Sequence, residues 1–288
     1  MQLTPYAAGG FGAEVSGLDL SEPLSADDAD RLRGALDRYR LLVFRGQELT
    51  PEAQVRFARS FGTVAPPEPS AGLSTHSEAV PELQWLSYLR ADGSEPSDRR
   101  PSQADVWHTD YAYLPDPAGL ACLFGVEIPE DGPDTLFADM QGAYDALDPD
   151  RRSELRELRA IHQQRGGLDP ALYRLPPYLG PGQPDDGSAQ RQAAHPLVRC
   201  HPASGRHGLY MAQCYTIGIE GMAEAAAKAL VAALYAHATQ QRFLHRHVWR
   251  RGDLLVWDNL ATNHRRSKPL DRPRVLHRVT MRRKGAEA

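Results

Sequence analysis

The sequence has few cysteines, no strong excess of charge of either sign and no long apolar run. Its three cysteines, Cys122, Cys200 and Cys214, form no C-x-x-C pair, which excludes a cysteine-rich zinc or iron–sulfur site and fits a reducing cytoplasm. A net charge of −4 without a basic tract argues against nucleic acid as a partner. No stretch approaches the ~20 apolar residues of a membrane-spanning helix, and the opening MQLTPYAAGG lacks a secretory pattern. We therefore expect a cytoplasmic protein that binds neither nucleic acid nor a membrane.

The residues that are present suffice for a sizeable core. Hydrophobic residues make up 41% of the 288 positions, as is ordinary for a globular protein. Helices are predicted where Ser25 and Thr50 precede apolar residues at helical spacing, and in the alanine-rich segment 222–240. Strands are predicted in short apolar runs such as LLVFRG, DLLVWDN and VLHRVTMRR. The pattern predicts a single α+β domain over residues 1–288, with a sandwich or barrel core and helices at its margins.

Two long segments lack a regular pattern. Residues 64–105 are rich in Pro, Ser and Asp around one β-prone run, ELQWLSYL, and residues 165–194 are dense in Gly and Pro. Long irregular connections inside a compact domain are usually functional or disordered. We expect these two segments to form lids that exclude water from a site.

Eleven histidines make a metal site worth considering, and VWHTDYAY at 106–113 is the strongest local signal. The alternation predicts a strand over 106–113, in which His108 and Asp110 point to the same face, where a charge needs a partner or a metal. Two histidines and one carboxylate are the ligands of non-haem iron oxygenases. A second H-x-E triplet, at His76, lies in an irregular segment and is weaker. The third ligand stays open from local pattern alone, with these candidates: His201, His207, His237, His245, His247, His264 and His277.

Longer motifs resemble those of a known family, and this resemblance narrows the choice of the third ligand. They include GAEVSGLDLSEPLS, LLVFRGQELTPEAQVRFARSFG, WHTDYAYLPDPAGLACLFGVEIPEDGPDTLFADM, HPLVRCHPASGRHGLYM, GDLLVWDNLATNHRRS and RPRVLHRVTMRR. In this order and nearly end to end, the sequence resembles the taurine dioxygenase / 2,4-dichlorophenoxyacetate dioxygenase family of Fe(II)- and 2-oxoglutarate-dependent enzymes.

The resemblance implies a fold, cofactors and ligands. The fold would be a double-stranded β-helix, or jelly roll, flanked by α-helices. Iron would be held by His108, Asp110 and His264, with 2-oxoglutarate and O₂ as cosubstrates. Arg274 would bind the distal carboxylate of 2-oxoglutarate through the two-donor fork that only arginine offers, and Thr135 would supply a hydroxyl to the same carboxylate.

The resemblance also implies a small anionic substrate that is hydroxylated at an unactivated C–H. Arg278 and His76 would bind its anionic group, and Tyr215 would cover it. Ala104 and Val106 stand where taurine-specific members carry polar side chains. This departure favours a more apolar substrate than taurine within the alkylsulfonate, alkyl sulfate and aryloxyacetate classes.

Other functions remain compatible with these residues. A tailoring oxygenase acting on an amino acid or a natural-product intermediate would use the same iron site, because a fold does not determine a substrate. A zinc hydrolase could use the same two histidines and aspartate, and a non-catalytic protein could retain a relict site. Apolar helices near both ends suggest a homo-oligomer.

Overall fold

The computed structural model describes residues 1–6, 10–64, 79–87, 103–164 and 191–283, and the backbone of 74–76. These residues form seventeen β-strands and five α-helices. The strands are β1 (Gln2–Pro5), β2 (Ala13–Ser16), β3 (Leu41–Phe44), β4 (Gly62–Val64), β5 (Ser74–His76), β6 (Gln84–Ser87), β7 (Leu120–Glu127), β8 (Thr135–Asp139), β9 (Arg159–Gln163), β10 (Gln192–Pro196), β11 (Val198–Cys200), β12 (His207–Leu209), β13 (Thr216–Ile219), β14 (Leu244–His247), β15 (Leu254–Asp258), β16 (Thr262–Arg266) and β17 (Val275–Arg283). The helices are α1 (Ala26–Tyr39), α2 (Pro51–Ala58), α3 (Met140–Asp145), α4 (Pro149–Arg156) and α5 (Glu224–Ala238).

The predicted helix starts are confirmed. The Ser25 hydroxyl accepts a hydrogen bond from the Asp28 amide at the start of α1, 3.1 Å away. Thr50 does the same for the Ala53 amide in α2, at 3.2 Å. Each cap satisfies an amide that the first turn leaves without a helical partner, which is why so local a pattern marks these starts. Within the described residues, none of the helices combines the length and apolar composition needed to cross a membrane.

Two sheets organise the molecule. The large sheet has the strand order β1-β2-β3-β15-β7-β17-β6-β5, with β4 beside β17, and only its β2–β3 pair is parallel among the described pairs. The small sheet has the order β14-β8-β16. Two further groups, β10-β9-β13 and β11-β12, lie outside both sheets. The chain is therefore rich in mostly antiparallel strands with helices between them, as predicted for an α+β protein.

Both faces of the large sheet are buried, which explains why its central strands are continuously apolar. Alternate side chains such as Leu42 and Phe44 pack with α1 and α2 residues, including Leu32 and Val55. The intervening side chains lie in a second cluster with Phe137 of the small sheet; they are Leu41, Val43, Ala121, Leu123, Leu255, Trp257 and Leu276. The order of layers is helices, large sheet, small sheet, with one buried cluster between the helices and the large sheet and a second between the two sheets.

The two irregular segments are only partly as predicted. Strand β6, inside 64–105, pairs with β17 in the large sheet, as the β-prone run there indicated. Strand β10 pairs with β9 from Gln192 onward, so 192–194 do not belong to an excursion. The remaining parts, 65–73, 77–78, 88–102 and 165–190, lie outside the described residues, and their role as lids stays a prediction.

Asp258, at the end of β15, holds the turn that leads into β16. It is fully buried and accepts hydrogen bonds from His201 Nε2 at 2.8 Å and from the Leu260 amide at 2.8 Å. Arg283 of β17 also donates to this carboxylate. Burial alone would raise the pKa of Asp258, but Arg283 and His201 lower it to about 2. The charged form of Asp258 thus stabilises the fold above its unfolded pKa, and this contribution is lost as the pH falls through about 2.

We expect Asp258→Asn to lower the free energy of unfolding by about 3–5 kcal/mol, because it leaves buried donors without a charged acceptor. Urea titration at neutral pH measures this change. The matched control is Asp116→Asn, because Asp116 pairs with Arg282 at 3.0 Å on the surface with 69% of its side chain exposed. That control is expected to cost less than about 1 kcal/mol. Equal losses in the two variants would contradict the role given to Asp258.

Candidate metal centre

The structure brings His108, Asp110 and His264 together. One potential ligand atom from each side chain lies within 4.8 Å of the others. In the part of the chain that the structure describes, no other group of three or more His, Cys, Asp or Glu side chains has this spacing. The other candidate histidines have different partners: His237 contacts the Ala143 carbonyl, His247 contacts Asp253 and His201 contacts Asp258.

Backbone pairing places the two histidines side by side. His108 forms an isolated antiparallel bridge with His264 of β16, and the two residues exchange amide–carbonyl hydrogen bonds of 3.1 and 2.8 Å. Residues directly opposite each other in such a pair project to the same face. Their ring centroids are 4.2 Å apart. The spacing of the two imidazoles therefore follows from the sheet ladder itself.

The aspartate reaches the centre by a different route from the predicted one. Residues 106–113 were expected to form a strand, and this is wrong: after the bridge at His108 the chain turns. Tyr111 adopts a left-handed backbone with φ 56°, and the Leu114 amide closes the turn on the Tyr111 carbonyl at 2.9 Å. Thr109 anchors the turn by donating its hydroxyl to the Asn259 carbonyl at 2.5 Å. Asp110 thus approaches the imidazoles from a turn, without the alternation of a continuous strand.

These side chains fit a metal ion. His108 Nδ1 contacts the Val106 carbonyl at 2.9 Å, which leaves Nε2 directed away from the backbone. Asp110 Oδ2 and His264 Nδ1 are buried and have no hydrogen-bond partner among the described residues, a costly state for polar atoms. Burial and the neighbouring His108 lower the pKa of His264 to about 3, and burial also lowers the pKa of His108. Both imidazoles are therefore neutral, as metal ligands must be, and two imidazoles with one carboxylate suit iron(II).

Arg278 lies beside this group, but much of its guanidinium is engaged. Its Nη1 donates to Asp110 Oδ1 at 3.2 Å, its Nε donates to Gln84 Oε1 at 2.8 Å, and its Nη2 donates to the Tyr111 hydroxyl at 3.1 Å. Burial would lower the pKa of Arg278, yet Tyr111 and Asp110 raise it. The contact leaves Oδ2 as the unpartnered oxygen of Asp110. Sequence reasoning missed Gln84, although a glutamine inside the β-prone run ELQWLSYL was a visible signal.

Arg274 is buried beside a cavity of about 850 Å³. Its one hydrogen bond among the described residues runs from Nη1 to the Pro133 carbonyl at 3.2 Å. Burial and the nearby Arg266 lower the pKa of Arg274 to about 9. A buried cation needs an anionic partner, and none of the described residues forms an ion pair with Arg274.

Thr135 is placed on the same face of the small sheet as His264. In the register of β8 and β16, Phe137 lies opposite His264 and Thr135 lies opposite Arg266, two residues further along. That step corresponds to about 7 Å. The Thr135 hydroxyl accepts a hydrogen bond from Trp249 Nε1 at 2.9 Å, and Trp249 lines the same cavity as Arg274. Trp249 thus contacts one predicted cosubstrate residue, Thr135, and lines a cavity that the other, Arg274, also lines.

Of the remaining predicted residues, Tyr215 is buried in an aromatic cluster. Its ring meets Tyr113 edge to face at 5.0 Å, and Tyr113 meets Tyr111 in the same way at 6.2 Å. Because Tyr111 also binds Arg278, the cluster adjoins the candidate centre. His76 is in β5, where its backbone pairs with Gln84, and its side chain lies outside what the structure describes.

Comparisons with known proteins agree with this geometry. A family model described as "Taurine catabolism dioxygenase TauD, TfdA family" matches residues 2–280. The alpha-ketoglutarate-dependent 2,4-dichlorophenoxyacetate dioxygenase of Cupriavidus pinatubonensis is 35% identical over 280 residues, covering 94% of each chain. The pentalenolactone F synthase of Streptomyces arenae is 33% identical over 297 residues, covering 97% of this chain and 94% of its own.

A solved structure matches as well. The crystal structure of AAD-2 in complex with Mn(II) and N-oxalylglycine superposes with a TM-score of 0.82 at 29% identity, covering 98% of each chain. These matches confirm the predicted enzyme class and its dependence on iron(II), 2-oxoglutarate and O₂. The chain belongs to the TauD/TfdA family of alpha-ketoglutarate-dependent dioxygenases.

Proposed function

We propose that His108, Asp110 and His264 hold the iron(II) of this dioxygenase, inside a single domain whose core is a jelly roll. The observation that carries the proposal is the buried group itself, in which Asp110 Oδ2 and His264 Nδ1 have no partner among the described residues. The large and small sheets pack face to face around Phe137, and this arrangement supports a jelly-roll core. When bound, iron and 2-oxoglutarate supply the oxidation, in which O₂, 2-oxoglutarate and a C–H bond yield succinate, CO₂ and an alcohol.

The residues around the metal contribute position and charge. Arg274 binds the C5 carboxylate of 2-oxoglutarate, because its buried guanidinium has no other anion within contact among the described residues. Thr135 donates its hydroxyl to the same carboxylate. Arg278 holds Asp110 Oδ1 and so turns Oδ2 toward the metal. These groups are fixed before the reaction begins, so they need no rearrangement to act.

The substrate that fits best is a small aromatic anion of the aryloxyacetate class. Tyr111, Tyr113 and Tyr215 form an edge-to-face wall beside Asp110, which suits an aromatic ring. Arg278 donates four of its five N–H groups to Asp110, Gln84 and Tyr111, and we assign the fifth, on Nη1, to the anionic group of the substrate. The relative from Cupriavidus pinatubonensis acts, by its name, on such a compound. His76 as a second anion contact, a homo-oligomeric state and a cytoplasmic location stay predictions.

A second candidate is a tailoring oxygenase for a natural-product intermediate. The similarity to pentalenolactone F synthase over 97% of the chain supports it. The cluster that contains the tyrosines also contains Val106, Ala112 and Ala212, and their small apolar side chains suit an alicyclic skeleton as well as a ring.

Succinate release by anaerobically iron-loaded protein, after addition of O₂ and 2-oxoglutarate, tests these functions. The panel contains aryloxyacetates, alkyl sulfates, alkylsulfonates, amino acids and terpenoid lactones, with His108→Ala as the control. We expect an aryloxyacetate to give the largest stimulation and the control to give none. Stimulation by a lactone alone would favour the second candidate. Release that is equally fast in His108→Ala would contradict the proposed iron site.

A further inference from the structure

The hydroxyl of Thr135 has its hydrogen-bonding direction set by a neighbour. Trp249 Nε1 lies 2.9 Å from Thr135 Oγ1, and both residues are buried. An indole N–H can only donate, whereas a hydroxyl carries one donor and two acceptor positions. Thr135 must therefore accept from Trp249, and its own O–H must donate in another direction. Among the described residues, that O–H has no acceptor.

Trp249 is itself held in place by His247. The ring of His247 meets the Trp249 ring edge to face at 4.7 Å. His247 Nε2 in turn contacts Asp253 Oδ2 at 3.1 Å, and Asp253 is fully buried and accepts from the Arg250 amide at 2.8 Å. Two hydrogen bonds joined by one ring contact thus connect Asp253 through His247 and Trp249 to Thr135. Side chains locked in this way hold a donor in a fixed orientation.

The cavity beside these residues is lined by charged side chains of both signs: Arg246, Arg250, Arg251, Lys268 and Arg274, and the carboxylates Glu130, Asp131 and Asp134. Trp249 and Arg274 both line it, and Arg274 has a single hydrogen bond among the described residues, to a carbonyl outside the sheet. A fixed hydroxyl donor and a guanidinium fork together match a group that only accepts hydrogen bonds. An ionised carboxylate is such a group, whereas an amide would present N–H groups to at least one of these donors.

We propose that Trp249 is a positioning residue for 2-oxoglutarate: its indole N–H forces the Thr135 hydroxyl to donate to the C5 carboxylate. The proposal deepens the proposed function and rests on it. It assigns the preference for a C5 carboxylate over a C5 amide jointly to Arg274 and to the Trp249–Thr135 pair. Trp249 does not touch the cosubstrate carboxylate in this role, since it acts through Thr135.

Equilibrium binding of 2-oxoglutarate to Mn(II)-loaded protein, measured by calorimetry, provides a readout that does not depend on turnover. Trp249→Phe removes the N–H and is expected to weaken binding about 5- to 10-fold. Thr135→Val should weaken binding at least as much. The double variant should bind no more weakly than Thr135→Val alone, because the indole has no further hydroxyl to orient. Thr135→Ser keeps the hydroxyl and should restore both affinity and sensitivity to Trp249→Phe.

A merely structural role for Trp249 predicts different results. If Trp249→Phe weakens binding by the same factor in the Thr135→Val background, or not at all in the wild type, the proposal is wrong. In steady-state assays we expect the KM for 2-oxoglutarate to rise while kcat at saturation changes less than about 2-fold. If Trp249→Phe fails to fold, 3-benzothienylalanine at position 249 keeps the ring volume and removes only the N–H. Wild-type protein that neither binds 2-oxoglutarate nor releases succinate would instead overturn the proposed function.

Discussion

Asp110→Ala is expected to weaken iron(II) binding at least about 100-fold and to abolish succinate release. Asp110 is the one carboxylate of the candidate centre, so its removal takes away the negative charge that this group of side chains offers the metal. The same change leaves Arg278, which donates to Asp110 Oδ1 at 3.2 Å, as an uncompensated cation beside the metal position. Loss of attraction and gain of repulsion act in the same direction, in a buried site where screening is weak.

Iron affinity is measured anaerobically by competition with a chelator of known affinity. The matched control is Asp105→Asn, which removes another largely buried carboxylate, paired with Arg266 at 2.7 Å, outside the candidate centre. That control should bind iron within a few-fold of the wild type even if its unfolding midpoint falls. Wild-type iron affinity in Asp110→Ala would remove Asp110 from the ligand set.

The second large effect is expected at Arg274. Arg274→Met should raise the dissociation constant for 2-oxoglutarate about 100-fold or more, because a buried carboxylate would lose its charged partner. Arg274→Lys keeps the charge but loses the planar fork, so its affinity for 2-oxoglutarate should lie between that of the wild type and that of Arg274→Met. Without 2-oxoglutarate, Arg274→Met should not lower the free energy of unfolding, since burial disfavours this cation and no described residue forms an ion pair with it.

Calorimetric titration of the Mn(II)-loaded variants measures the binding change, and urea titration measures stability. Arg250→Met is the matched control because Arg250 lines the same cavity, but its side chain makes no hydrogen bond or ion pair among the described residues. We expect that control to change affinity less than about 3-fold. Equal weakening by Arg250→Met and Arg274→Met would mean that the positive charge of the cavity attracts 2-oxoglutarate in general. A specific contact with Arg274 would then be contradicted.

Local features of the fold could be predicted because they depend on neighbours in the chain. The caps at Ser25 and Thr50 satisfy amides three residues away, so a short pattern contains the whole interaction. The strand predicted at 106–113 was wrong because only the local pattern was available. The alternation of side chains is visible in that pattern, whereas the left-handed backbone of Tyr111 is not. That conformation is stabilised by contacts such as Thr109 to Asn259, which join distant parts of the chain.

The candidate site was harder to predict because its geometry depends on pairing between distant strands. Local pattern could not choose His264 among seven histidines, because only its backbone bridge to His108 makes it the partner. Resemblance to a family supplied that choice. Gln84 was missed for the same reason: it meets Arg278 only because β6 pairs with β17 in that register.

The turn from His108 to Tyr113 combines two duties in one short piece of chain. It carries two proposed ligands together with Tyr111 and Tyr113, whereas Tyr215 comes from a distant segment. A substitution at Tyr111 would disturb the Arg278–Asp110 contact along with the substrate wall. Directed evolution toward a new substrate should therefore diversify the neighbourhood of Tyr215 and leave the turn intact. Related enzymes with this arrangement can change the residues around Tyr215, and so their substrate, while the metal ligands and the oxidation chemistry stay the same.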